Sequence, residues 1–306
     1  MQAPLPPLAP RTLELLGPFE RSRIEIGGVG MHVMSRGVGQ PVVALHGNPT
    51  WGFLWRKVAA ALDPTRFRVV TIDLAGLGYS DRVPDREHTI DLHAARVGGV
   101  IDRLGLDDVV FVGQDWGGPI GLRALSHRAD RVRGLVLTNT VAGPPRPGFR
   151  RSGFHRLAQT RWLGEAVFRG LGFPQVALWL AQADRSSISG DVAAAYRAPL
   201  RGLSQNAAPL ALARMVPDGP EHASIEPLAR CWEFVLGFGG PVALPWGVRD
   251  PILGSVVGHL ERSLPGARVS RHEAGHFSPE EIPGPIAEAV AWAARGRATA
   301  AAAGAG

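Results

Sequence analysis

Asp115 stands at the tip of a Gly-x-Asp-x-Gly turn, Gly113-Gln114-Asp115-Trp116-Gly117, that follows four β-favouring apolar residues, Val109 to Val112. Behind it, Pro119 to Leu125 reads as the start of a helix. A strand that bends sharply into a helix needs small residues on both sides of the bend, where the backbone is strained and the two elements pass close together. Such an elbow lifts one side chain out at the carboxyl end of a parallel sheet. A carboxylate in that place can attack carbon and form an ester with it. The competing reading is a βα turn whose Asp merely caps the helix.

Two further residues bear on the choice. Asp250 follows the strand-like Val242 to Trp246, and His276 follows Arg268 to His272. Singly, Asp250 reads as a turn residue ahead of Pro251 and His276 as a satisfied surface histidine. Jointly with Asp115 they lie just past strand ends that share one edge of a parallel sheet, so they can converge. The chemistry needs each type. Asp115 becomes an ester, His276 draws a proton from the water that hydrolyses it, and Asp250 holds the imidazole in the right tautomer.

The elements that would carry them follow from pattern. Residues 1–20 read as an irregular, Pro-rich arm. Arg21 to Ile26 and Met31 to Ser35 form a hairpin about Gly27-Gly28-Val29-Gly30. Pro41 to Leu45 and Phe67 to Ile72 are strands, Trp51 to Leu62 has helical spacing, and residues 88–104 make an amphipathic helix ahead of the elbow strand. Leu135 to Thr138 is a short strand, and Ile286 to Ala294 a closing helix. Strands alternating with helices argue for a mostly parallel sheet flanked by helices. From 141 to 215 no strand is evident, and the stretch is too long for a loop; it reads as an inserted helical cap on a core of 1–140 and 216–306. Within it Trp162, Phe168, Phe173, Leu178, Trp179 and Leu180 are candidates to line a pocket, although helix packing is the better reading for most of them.

Composition narrows the class. The 306 residues are 45% hydrophobic, ample for a large core. The net charge of +6 rests almost wholly on arginine, with Lys57 the single lysine. Arg131, Arg133, Arg150, Arg151, Arg156 and Arg161 are scattered among apolar residues, which argues against a nucleic-acid partner. Cys231 is alone, so a disulfide framework and a cysteine metal site are excluded and a cytoplasmic setting is expected. No signal peptide or apolar run of ~20 residues suggests a membrane. No nucleotide motif or metal-ligand spacing appears, so no cofactor and no metal are expected. The Ala- and Gly-rich tail from Arg295 to Gly306 reads as a fraying end.

Taken together, His46-Gly47-Asn48-Pro49-Thr50, Gln114-Asp115-Trp116-Gly117-Gly118, Gly247-Val248-Arg249-Asp250 and Gly275-His276-Phe277 resemble, in order, the α/β-hydrolase family and within it the haloalkane dehalogenases. The resemblance implies the α/β-hydrolase fold, an Asp115–His276–Asp250 triad, and a halide held by the side chains of Asn48 and Trp116. The backbone N–H groups of those two residues would form the oxyanion hole. Neutral donors in a dry pocket suit a departing halide, because they carry no charge to desolvate. For Asn48 a turn role competes, and for Trp116 plain packing. Some members place the triad acid after the strand behind the elbow helix; here that strand leads to Asn139, which leaves Asp250. The implied partners are a small apolar organic substrate, water and a halide ion, in a monomer or small homo-oligomer.

The same residues also resemble the β-lactone decarboxylases of olefin biosynthesis. Epoxide hydrolases share the triad but activate their substrate with cap tyrosines, of which only Tyr196 lies in the expected region. A non-catalytic hydrolase-like binding protein is the alternative from another class. Free halide with alcohol, or carbon dioxide with alkene, distinguishes the first two readings.

Overall fold

The computed structural model describes residues 5–296 apart from 147 and 150. Its centre is an eight-stranded sheet in the order β1-β2-β4-β3-β5-β6-β7-β8. The strands are β1 (Glu20–Ile26), β2 (Val29–Arg36), β3 (Gln40–Leu45), β4 (Phe67–Ile72), β5 (Val109–Asp115), β6 (Val132–Thr140), β7 (Val242–Gly247) and β8 (Arg268–His272). The β1–β2 hairpin and the β2–β4 pair are antiparallel, and every other pairing is parallel. Strands covered on both faces should be apolar throughout. Val110 to Val112 of β5 and Leu135 to Leu137 of β6 are fully buried, as that requires.

Helices flank the sheet. They begin with α1 (Pro10–Leu16), α2 (Arg56–Ala61), α3 (Ile90–Arg103) and α4 (Gly117–Ser126). Thr89 caps α3 by accepting from the Leu92 N–H at 3.2 Å. The expected helix from Trp51 is instead a 3₁₀ turn, Gly52–Trp55, running into α2. The expectation of an irregular N-terminal arm needs correcting at α1. Pro10 occupies its first turn, where the missing N–H is not needed, and Leu16 is buried in the core. Proline there starts a helix.

Between β6 and β7 no strand occurs among the described residues. The segment holds α5 (Gly153–Gln159), α6 (Arg161–Gly164) with a π-helical turn after it (Glu165–Gly170), α7 (Gly190–Arg197), α8 (Ala207–Arg214) and α9 (Ile225–Gly237). The last of these packs on α4, with the Cys231 thiol 3.2 Å from the Pro119 carbonyl, and so belongs with the sheet's own helices. The chain closes through α10 (Val257–Ser263), α11 (Ser278–Glu281) and α12 (Pro283–Ala293). Residues 297–306 of the expected fraying tail lie outside the described residues. No helix among those described is long and apolar enough to cross a membrane.

Candidate active site

Six parallel strands end side by side at the carboxyl edge of the sheet, in the order β4, β3, β5, β6, β7 and β8. At the centre Asp115 ends β5 with φ +49°, the left-handed geometry of a strand turned abruptly into a helix. Close approach dictates its neighbours. A Cβ at Gly117 would lie 2.2 Å from the Leu45 carbonyl oxygen, and one at Gly47 would lie 2.2 Å from Oδ1 of Asp115. Glycine at both places lets the β3 loop lay its backbone against the elbow.

That approach sets the two oxygens of Asp115 apart. The Asn48 N–H donates to Oδ1 at 2.7 Å, and the Trp116 N–H also donates to this carboxylate. Oδ2 stands 3.6 Å from Nε2 of His276, too far for a hydrogen bond. On the other side of the ring, Nδ1 donates to Oδ2 of Asp250 at 2.9 Å. The structure therefore brings Asp115, His276 and Asp250 into one line. Side-chain exposure of 17% at Asp115, 3% at His276 and 0% at Asp250 leaves the first as the one an incoming molecule reaches.

The carboxylates at the two ends differ. Asp115 is pushed above the ordinary carboxylate range by burial, against the pull of His276 and the Trp116 and Asn48 N–H groups. Burial works against Asp250 as well. It is nevertheless held below that range by His276, by Asn139 and by the Ile252 N–H. His276 is raised above its ordinary value: burial opposes its charge, but Asp250 and then Asp115 outweigh that.

Asn139 is a site residue whose role sequence reasoning left out. Its Nδ2 donates to Oδ2 of Asp250 and to the Gly247 carbonyl, each at 2.9 Å, while its Oδ1 accepts from the Gly247 N–H. It thereby clamps the β7 loop that carries the acid. Its left-handed φ of +41° was not legible in the sequence.

Asn48 and Trp116 flank Asp115. The Asn48 amide donates to the Pro209 carbonyl of α8 at 2.9 Å, and its Oδ1 is buried without a partner. Trp51 and Trp246 donate their indole N–H to the Ala195 and Leu253 carbonyls; Trp116, only 7% exposed, makes no such bond among the described residues. Its N–H and the second amide N–H of Asn48 are thus two neutral donors beside the exposed carboxylate. The tyrosine of the cap region offers no free phenol. The Tyr196 hydroxyl is fully buried and donates to Glu280 at 2.5 Å, and Tyr79 packs edge-on against Trp51. No group of three or more His, Cys, Asp or Glu among the described residues is arranged to hold a metal ion.

The candidate pocket aromatics divide. Phe168 is fully buried in a small cluster with Ala158, Leu210 and Ala213, against which Phe173 packs. Leu178 is buried too, whereas Trp162, Trp179 and Leu180 are exposed.

The alpha/beta hydrolase fold family matches residues 40–281. Haloalkane dehalogenase 2 of Mycobacterium tuberculosis is 34% identical over 282 residues, covering 90% of this chain and 95% of its own. The haloalkane dehalogenase of Mycolicibacterium paratuberculosis is 31% identical, covering 85% and 86%. Among solved structures, a variant of the haloalkane dehalogenase DatA from Agrobacterium tumefaciens superposes with a TM-score of 0.81 at 25% identity, over 92% of this chain and 99% of that one. DbeA from Bradyrhizobium elkani gives 0.81 at 23%, a likeness of fold.

Proposed function

This chain belongs to the haloalkane dehalogenases of the alpha/beta hydrolase fold, and from that premise we propose that it hydrolyses carbon–halogen bonds of small halogenated alkanes through an ester on Asp115. The observation that carries the proposal is the asymmetry of that carboxylate. Oδ1 accepts from the Asn48 N–H at 2.7 Å, and Oδ2 makes no hydrogen bond among the described residues, standing 3.6 Å from His276 Nε2. Oδ2 attacks the halogenated carbon, and the halide leaves with the bonding pair toward the Trp116 indole N–H and the Asn48 amide. The ester carbonyl is then Oδ1, already accepting from the Asn48 N–H. Water adds to the Asp115 carboxyl carbon as His276 Nε2 takes its proton. Collapse of the adduct expels the alcohol, which takes that proton, and the carboxyl group returns to carboxylate as its remaining proton passes to solvent. Asp250 and Asn139 hold the ring that does this.

We read residues 141–215 as a cap over a core of 1–140 and 216–306. The Asn48–Pro209 bond is its direct contact with the proposed halide site. Water and the halide ion are the further small partners, nucleic acid and membrane are not among them, and the protein acts as a monomer or small homo-oligomer without cofactor or metal. The lone Cys231, buried and with its thiol pushed up to about 12, fits a cytoplasmic setting. None of the relatives reported above carries a decarboxylase name. With the Tyr196 hydroxyl buried against Glu280, an epoxide finds no free phenol in the cap region to activate it.

The steps separate in His276→Ala. A carboxylate needs no base to attack, but water does. Exposed to a bromoalkane, this variant releases about one halide per enzyme and stops. Intact mass rises by the alkyl group, and peptide mapping puts the adduct on Asp115. Continuous turnover, or an adduct elsewhere, would falsify the mechanism; alkene and carbon dioxide from a β-lactone would move the protein to the other reading.

A further inference from the structure

Gln114 precedes Asp115 on β5 and is fully buried. Its Nε2 donates to the His276 carbonyl at 3.0 Å and lies 3.4 Å from Nε2 of the same histidine. Its Oε1 is buried with no partner. An orphaned amide oxygen is a standing cost that an apolar side chain of equal length would remove. The direction of the amide supplies a reason for bearing it. Turned over, Oε1 would meet the His276 carbonyl, acceptor against acceptor, so the NH₂ side is fixed toward the histidine.

One N–H goes to that carbonyl, and the second lies on the side of the lone pair of Nε2. A neutral imidazole accommodates this contact; an imidazolium would set N–H against N–H. The other charged groups around the ring pull the opposite way. Asp250 at Nδ1 and Asp115 at 3.6 Å both favour the cation. His155 of α5 is neutral near pH 7, pushed down to about 4 by burial, then by His276 and Arg151. We propose that Gln114 is a positioning residue that keeps Nε2 of His276 unprotonated, by anchoring that residue's own carbonyl and turning a donor toward the nitrogen at 3.4 Å, a contact long enough for the attacking water to replace. This rests on the ester mechanism above, in which the histidine serves only the second step.

The test follows a bromoalkane through a single turnover of Gln114→Met and Gln114→Glu across pH, with halide release reporting the first step and loss of the alkyl mass on Asp115 the second. In Gln114→Met the first step stays within about twofold of wild type. Ester hydrolysis slows about tenfold near neutral pH, and its acidic limb moves up by about one pH unit, so that alkaline buffer restores the rate. Gln114→Glu, which replaces the donor by an acceptor of the same length, moves the limb further in the same direction. Hydrolysis with an unshifted limb in either folded variant overturns the inference, as does an equal loss in both steps. His276→Ala that forms no alkyl adduct on Asp115 removes the mechanism itself, which is a different failure.

Discussion

The carboxyl edge of the sheet and the cap above it are built on different terms. At the edge, strands of five to nine residues end in side chains fixed by several bonds each, as at Asp250, where Asn139, His276 and the Ile252 N–H share two oxygens. In the cap, α5 to α8 are four to eight residues long and joined by 3₁₀ and π turns. Its own buried cluster is Phe168 with Ala158, Leu210 and Ala213. Catalysis needs the reacting groups held to fractions of an ångström, which a wide parallel sheet supplies through its register. The cap does hold the β8 loop at one place, where the Ala181 carbonyl accepts from the His276 N–H and Gln182 Oε1 from the Phe277 N–H, each at 2.8 Å; elsewhere it has to exclude water and shape a cavity, and short pieces serve that.

The sharpest way to break the comparison is at Asp250. Asp250→Asn keeps the shape but reverses the bond to Nδ1, so the imidazole takes the wrong tautomer. Turnover should fall by about 10³–10⁴ with the circular dichroism unchanged. If the edge tolerated the change, its rigidity would not be what catalysis uses.

The same contrast decides what could be read from the sequence. Asp115, Asp250 and His276 were legible because each follows an apolar run at a strand end, and parallel topology puts such ends on one edge. Arg268 to His272 and Phe67 to Ile72 were found to the residue, whereas β6, expected as Leu135 to Thr138, runs Val132–Thr140, and β2, expected as Met31 to Ser35, runs Val29–Arg36. What escaped depends on backbone geometry that residue type does not encode: the left-handed Asn139 that clamps Asp250, and the direction of the Gln114 amide. In the cap the difficulty was another. Leu178 and Leu180 are alike in type and two residues apart, yet one is buried and the other half exposed. Short irregular helices have no period long enough to separate them.

A substitution in the cap tests whether its packing is nonetheless real. Phe168 is fully enclosed, with Phe154 and Phe173 against it at ring-centre distances of 5.2 and 5.8 Å. Phe168→Ala should cost about 3–5 kcal/mol in urea unfolding. It should leave the first halide release by His276→Ala in place, because Asp115 is set by the sheet. Loss of that release together with stability would mean that the cap orders the edge.

Between the two regions lies the proposed halide pair, one residue on the elbow and one tied to α8. Trp116→Phe keeps the ring and removes the donor, and halide affinity measured by competition should drop about tenfold or more. Asn48→Ala should weaken it by less, since one of its two amide N–H groups is already given to Pro209. Unchanged affinity in both variants would leave the halide without its proposed site.

The smallest expected effect belongs to Trp162. From sequence it was a candidate for the pocket, but it is 78% exposed on α6, with the Arg161 guanidinium 5.5 Å from its ring. A cation–π contact in the open is worth about 0.5–1 kcal/mol at most, and a surface position away from core and caps usually moves stability by less than about 0.5. Trp162→Ala should therefore leave the unfolding midpoint and kcat/KM for short haloalkanes near wild type. A raised KM with kcat intact would instead mean that the ring lies over the substrate path when the cap moves. The cap would then contribute to substrate binding from a residue that the closed arrangement leaves in solvent, and the division between a fixed edge and a passive cover would have to be redrawn around α6.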